Sequence, residues 1–181
     1  MVLVTGGARV GKTKLAIKLC QQQGPRVLYV AAGSPVGDDI FSQEIVRRTR
    51  KQRPITWEVR ERYHDLGRFL LAHGADRDAI LIENMRNMVA ALMKHYEYSE
   101  SEFDLRYLTS SVVDEMNQMV TSAREISALV VLVTNEVNIY PHTSDFFYKA
   151  QMDILGRVNQ LLAASCQDVY WLASGIPVKV K

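Results

Sequence analysis

Short apolar runs alternate with helical periodicity along the whole chain. Val2-Leu3-Val4 reads as a buried strand, and Lys12 to Gln23 as a helix stopped by Gly24-Pro25. Arg26 to Ala31 reads as a second strand. Residues 38 to 50 carry helical spacing, with Ile40, Phe41, Ile45 and Val46 on one side, until Pro54 breaks the pattern. Ile55 to Val59 fits a partly exposed strand and residues 64 to 73 a helix. The run Ala79 to Ile82 is a strand ending in Glu83, followed by a helix over Arg86 to His95. The polar stretch Glu97 to Asp104 reads as a loop. Tyr107 to Ile126 predicts a long amphipathic helix, and Leu129 to Val133 is the most continuously apolar strand. A helix over residues 145 to 165, a strand over Val169 to Leu172 and a terminal strand over Val178 to Lys181 complete the chain. Strand and helix alternating at this spacing predict βαβ units and an α/β fold, with a mostly parallel sheet covered by helices on both faces.

Composition narrows this picture little. The 181 residues suit a single domain over 1–181. Lys plus Arg is 22 and Asp plus Glu is 20, a balance too even to point to nucleic acid or a membrane surface. No apolar run reaches the roughly 20 residues that cross a bilayer, so no membrane insertion is expected. The opening residues lack a basic flank and a small-residue cleavage site, so no signal peptide is expected. Cys20 and Cys166 lack metal-ligand spacing and suit a reducing cytoplasm.

The chemistry is concentrated near the amino end. Gly6-Gly7-Ala8-Arg9-Val10-Gly11-Lys12-Thr13 fills every defined position of the G-x-x-x-x-G-K-[ST] phosphate-binding loop, between the first strand and the first helix. Glycines let the backbone approach phosphate, and successive amides and the helix N-terminus then point at anionic oxygens. Lys12 supplies charge for the β- and γ-phosphates. The Thr13 hydroxyl is a ligand for Mg²⁺. Such loops work with a carboxylate at a neighbouring strand end. Glu83 fits, and Glu136, after the Leu129–Val133 run, is its rival. Arg47 to Arg53 place five cations in seven residues, readable as a solvated helix end or as a phosphate contact. His64, His73, His95 and His142 lack ligand spacing, and Met85, Met88, Met93, Met116 and Met119, with Trp57 and Trp171, read as core or helix-contact residues.

Beyond the loop, Val2 to Ala16, Arg26 to Gly33, Asp38-Asp39, the Arg53-Pro54-x-x-Trp57 stretch, Glu61, Leu132 to Val137, Gly156 to Ala163 and Ser174 to Lys181 together resemble one family. It is the bifunctional adenosylcobinamide kinase/adenosylcobinamide-phosphate guanylyltransferase family of cobalamin biosynthesis. The resemblance implies a RecA-like P-loop fold assembled as a homotrimer. It implies phosphoryl transfer from ATP or GTP, with Mg²⁺, to the aminopropanol hydroxyl of the corrinoid adenosylcobinamide, then GMP transfer through a guanylylated histidine. Carried over by position, Gly6 to Thr13 would hold the nucleotide phosphates, and Ala32, Gly33 and Ser34 would contact nucleotide. So would Arg50, Lys51, Gln52 and Arg53, with Glu61 and Glu83 as further nucleotide-site carboxylates. Lys12, Glu83 and Glu136 are the catalytic candidates, Thr13 and Glu83 the metal-holding pair.

The chain departs from the family pattern in three places, one of them after Glu83, where Ala90-Ala91-Leu92 replace the family's Asn-Leu-Leu. Counting back from Arg53-Pro54 puts the family histidine at Thr49, or at Arg48. A guanidinium stays protonated, and a threonine among cations lacks an activating base, so guanylylation through the usual intermediate is expected to be weak or absent. Asn138 to His142 replace a glycine-containing loop, a change that bears on corrinoid binding or on the trimer contact. Two alternatives stay open: a degenerate GTP-binding regulatory or assembly subunit, and a P-loop kinase for another small alcohol.

Overall fold

The computed structural model describes residues 1–33, 44, 47, 50–97, 104–137 and 145–181. The elements in chain order are β1 (Val2–Gly6), α1 (Lys12–Gln21), β2 (Val27–Ala31), β3 (Glu58–Glu61), α2 (Leu66–His73), β4 (Ala79–Glu83), α3 (Met85–Glu97), α4 (Leu105–Glu125), β5 (Leu129–Val133), α5 (Phe146–Ser165), β6 (Asp168–Ala173) and β7 (Ile176–Lys179). Residues 44, 47 and 50–52 are helical, and the rest of the expected 38–50 helix lies outside the described residues.

The strands form one sheet in the order β3-β2-β4-β5-β1-β6-β7. All neighbours are parallel except the β6–β7 hairpin. Strands buried on both faces need side chains that are apolar in both directions, which is why β1, β4 and β5 read as unbroken apolar runs. The two faces build two cores. On one, Ala16, Ile17 and Cys20 of α1 meet Val2, Val4, Tyr29, Leu81 and Val131. On the other, Leu66 and Leu70 of α2, Met88 and Met93 of α3, Met116 and Met119 of α4 and Leu155 of α5 cover Leu3, Leu28, Ile80 and Leu132. The five methionines named from the sequence, Met85 among them, are all fully buried.

Three expectations shift. The third strand begins at Glu58 rather than Ile55, whose side chain is fully exposed before the turn that buries Trp57. The last strand is Ile176–Lys179, registered by Ala173↔Ile176 across a tight turn in which Ser174 and Gly175 both take positive φ. Trp171 is not a core residue. It is 42% exposed, beside Val178 on the outer hairpin, where among the described residues no helix covers it. Helix starts follow local chemistry: Asp104 caps α4 by accepting from the Arg106 and Tyr107 amides, and Asp145 caps α5 by accepting from Tyr148.

Candidate active site at the carboxyl ends of the strands

The phosphate-loop residues all stand at the carboxyl edge of the parallel strands, where open α/β sheets place ligands. Gly6 ends β1 at φ 142°, tight against β6: a Cβ there would lie 2.7 Å from the Leu172 carbonyl oxygen. Gly11 stands at the N-cap of α1, so no side-chain oxygen covers the first amides of that helix. The aspartates of α4 and α5 occupy their own helix ends, whereas α1 leaves its amides for an external anion.

Lys12 is 8% exposed. Its ammonium donates to the carbonyl oxygens of Gly6 at 3.0 Å and Gly7 at 2.6 Å. Burial pulls its pKa below the ordinary lysine value, and the Glu83 carboxylate partly opposes that fall. A buried cation beside the uncapped start of a helix is an arrangement that can receive an anion.

Register fixes the next member. Glu83 ends β4 opposite Ala31 of β2 and Val133 of β5, in the middle of the sheet. Alternation puts it on the α1 face with Leu81. There its Oε1 accepts a short hydrogen bond from the Thr13 hydroxyl, and its Oε2 accepts from the Tyr29 hydroxyl at 2.9 Å. A hydroxyl and a carboxylate are hard oxygen donors, and Mg²⁺ is commonly held by one or two such groups plus substrate phosphates and water. The pair therefore fits that ion. Among the described residues no group of three or more His, Cys, Asp or Glu could hold a metal, so phosphates would have to complete the shell.

Glu136 lies in the segment after β5. Its amide donates to the Gly6 carbonyl at 3.1 Å, and its Oε2 accepts from the buried Thr5 hydroxyl at 3.2 Å. Behind it, Asn159 of α5 accepts from the Thr134 hydroxyl at 2.7 Å and donates to the Asn135 carbonyl at 2.9 Å. This explains physically why the Gly156–Ala163 and Leu132–Val137 stretches occur together: one side chain of the first clamps two residues of the second.

The remaining candidates spread along the same edge. Ala32 follows β2, its amide on the Glu83 carbonyl at 2.6 Å, and Gly33 at φ 96° passes so close to α3 that a Cβ would sit 2.8 Å from Asn87 backbone. Ser34 lies outside the described residues, as do Arg48, Thr49 and residues 138–144. Arg50 approaches Glu61, at the exposed end of β3, at 4.0 Å. Lys51 and Gln52 are exposed on the helix end, while Arg53 turns inward, its guanidinium carbon 4.3 Å from the Tyr29 ring centroid. Thr13 and Glu83 thus meet directly, with Lys12 beside Thr13 and within the electrostatic reach of Glu83, and Glu61 with Arg50 forms a separate outer pair. Sequence reasoning missed Tyr29, Thr5 and Asn159. Tyr29 carried one signal, a lone hydroxyl in an apolar strand two residues before the strand end.

Comparison with known proteins decides the lineage. Residues 2–180 match the CobU family, described as cobinamide kinase / cobinamide phosphate guanyltransferase. This chain belongs to that family. It is 34% identical to the bifunctional adenosylcobalamin biosynthesis protein CobU of Salmonella typhimurium, covering 100% of this chain and 99% of that one. It is 33% identical to CobU of Escherichia coli over the same shares. The CobP protein of Pseudomonas aeruginosa is 23% identical over 99% of this chain and 96% of its own length. Among solved structures, an ATPase from the type III secretion system of pathogenic bacteria superposes with a TM-score of 0.54 at 10% identity. This chain is covered over 98% of its length and spans 56% of that ATPase. That likeness concerns the fold alone, and it agrees with a RecA-like P-loop architecture.

Proposed function

We propose that the chain is a kinase of the family's type, transferring the γ-phosphoryl group of ATP or GTP to the alcohol of adenosylcobinamide or a closely related corrinoid. The observation that carries this reading is the Thr13–Glu83 hydrogen bond at the mouth of an uncapped α1, whose first residue, Lys12, holds its buried ammonium on the Gly6 and Gly7 carbonyls within the electrostatic reach of Glu83. Loop amides from Gly7 to Thr13 receive the phosphate oxygens. Lys12 exchanges its two carbonyl partners for anionic oxygens and meets charge as it develops on the transferring group. Thr13 and Glu83 would hold Mg²⁺, which when bound neutralises phosphate charge and orients the transfer. Ala32, Gly33, Arg50 to Arg53 and Glu61 line the approach for the rest of the nucleotide, and Ser34 is assigned to it from its position in the sequence.

The acceptor hydroxyl needs a base. Glu83 has a hydroxyl donor on each oxygen, whereas Glu136 receives one longer contact and is exposed. Glu136 is therefore assigned to the acceptor proton and Glu83 to the metal. In a loose transfer, holding donor and acceptor in line supplies most of the acceleration, and a positioned base adds to it.

Guanylyl transfer through a covalent enzyme adduct is assigned a minor role or none, because Thr49 and Arg48 stand where the family histidine is expected. A homotrimer in the cytoplasm is the proposed working state. No described helix is long and apolar enough to cross a membrane.

A panel of cobinamide, adenosylcobinamide and simple amino alcohols, each with ATP and GTP, tests the kinase reading. Turnover confined to the corrinoids is expected. Nucleotide binding without turnover on any acceptor identifies a regulatory subunit instead, and turnover on the simple alcohols alone identifies another kinase. Incubation with radiolabelled GTP is expected to leave no acid-labile, base-stable adduct. A stoichiometric adduct would show that another side chain carries GMP.

A further inference from the structure

We propose that Tyr29 is a positioning residue for the metal site, its hydroxyl fixing the orientation in which Glu83 meets Mg²⁺. The proposal rests on the reading of Glu83 as a metal-holding residue. Tyr29 is only 2% exposed and pairs with Leu81 across β2 and β4. Both residues face α1, and the ring reaches diagonally forward so that its hydroxyl meets Glu83 Oε2 at 2.9 Å. The Thr13 hydroxyl meets Oε1 from the other side.

A glutamate side chain has three torsions and, unheld, sweeps a wide arc. Two donors from two different elements, β2 and α1, fix the carboxylate both in position and in plane. Each oxygen keeps a lone pair not used by its hydroxyl partner, so the clamp leaves coordination sites open. The tyrosine is itself restrained, because the Arg53 guanidinium lies 4.3 Å over its ring. A residue kept only to fill the core would need no hydroxyl here, and a phenylalanine would occupy the same space.

Tyr29→Phe removes the one atom concerned. Mn²⁺ serves as the probe, titrated by electron paramagnetic resonance in the presence of a non-hydrolysable GTP analogue, alongside the Mg²⁺ dependence of turnover. The expected result is an Mn²⁺ dissociation constant raised about 10-fold, the typical effect of losing an outer-shell partner of a metal ligand. The Mg²⁺ concentration for half-maximal rate should rise in parallel, while kcat at saturating Mg²⁺ and the metal-free thermal midpoint stay near wild type. In a Glu83→Gln background the Tyr29→Phe change should add nothing to the Mn²⁺ constant. An Mn²⁺ affinity in Tyr29→Phe within about twofold of wild type, while Glu83→Gln weakens it, overturns the proposal alone. So does an equal Tyr29→Phe loss with and without Glu83. An unchanged Mn²⁺ affinity in Glu83→Gln overturns the metal-site reading beneath it.

Discussion

Glu83 and Glu136 follow neighbouring parallel strands, yet the protein holds them by different means. Glu83 is the last residue of β4, gripped on both oxygens by hydroxyls from α1 and β2. Glu136 stands three residues beyond β5 and is held mainly through its backbone, by the Gly6 carbonyl and the Asn159 clamp behind Asn135. A carboxylate fixed in plane with every oxygen engaged suits a hard cation. One fixed at the backbone, with its side chain exposed, suits the removal of a proton from the hydroxyl of a bulky acceptor. The difference teaches that strand-end position alone does not give a carboxylate its role; the donors around it do.

The sharpest way to break this division is to remove the charge both carboxylates serve. Lys12→Met should weaken triphosphate binding by about 100-fold or more, since two charge-assisted hydrogen bonds are lost. Calorimetry with GTP and Mg²⁺ measures it. The nucleotide-free protein should melt no lower than wild type, because the variant removes a buried cation whose present partners are neutral carbonyls. Retained GTP affinity would leave the loop without its assigned purpose.

Next in size is the exchange of the two carboxylates. Glu136→Gln should lower kcat about 100-fold at unchanged Mg²⁺ requirement, the usual scale for a lost general base. Glu83→Gln should show the reverse pattern, a raised Mg²⁺ requirement that excess metal partly restores. Steady-state kinetics across a Mg²⁺ series reads both, and interchanged patterns would reverse the assignment. Smaller again, Asn159→Ala frees the Thr134–Glu136 segment and should cost roughly 10-fold in kcat with little change in nucleotide affinity. An effect confined to nucleotide affinity would move Asn159 to the phosphate side of the site.

The last test lies outside the chemistry, in the dry core beneath α1. Burial pushes the Cys20 thiol up to about 12 from 9.0. Between those values the native chain keeps a proton that the unfolded chain has lost. The stability tied to this group is whole below pH 9 and lost as pH rises toward 12, at up to roughly 1.4 kcal/mol per pH unit. Cys20→Ala, though less stable overall from the cavity, should show a flatter loss over that interval in chemical denaturation. An equal slope in both proteins would place the alkaline sensitivity elsewhere.

Much of the fold was legible because both cores are written in short local patterns. Leu129–Val133 has the bounds that its apolar run announced, and Ala79–Glu83 likewise. Where pattern and structure part, a particular contact decides. Ile55 has the side chain of a strand residue but no partner strand, and pairing begins only at Leu28↔Glu58. Trp171 resembles a core residue until β7 folds back beside it and leaves that face open.

The sequence by itself determined the phosphate loop, the lineage and the strand ends from which the carboxylates come, because these depend on neighbours a few residues away or on motifs kept in order along the chain. Only the tertiary structure decided that Thr13, Tyr29 and Glu83 form one unit, across separations of 70 and 54 residues, and that Asn159 clamps the segment bearing Glu136. Those meetings depend on strand order and register, which bring β2 and β4 side by side and lay α1 across them. A hydrogen bond has a reach of about 3 Å, so which distant residues share one is settled by the packing of the sheet and not by their order in the chain.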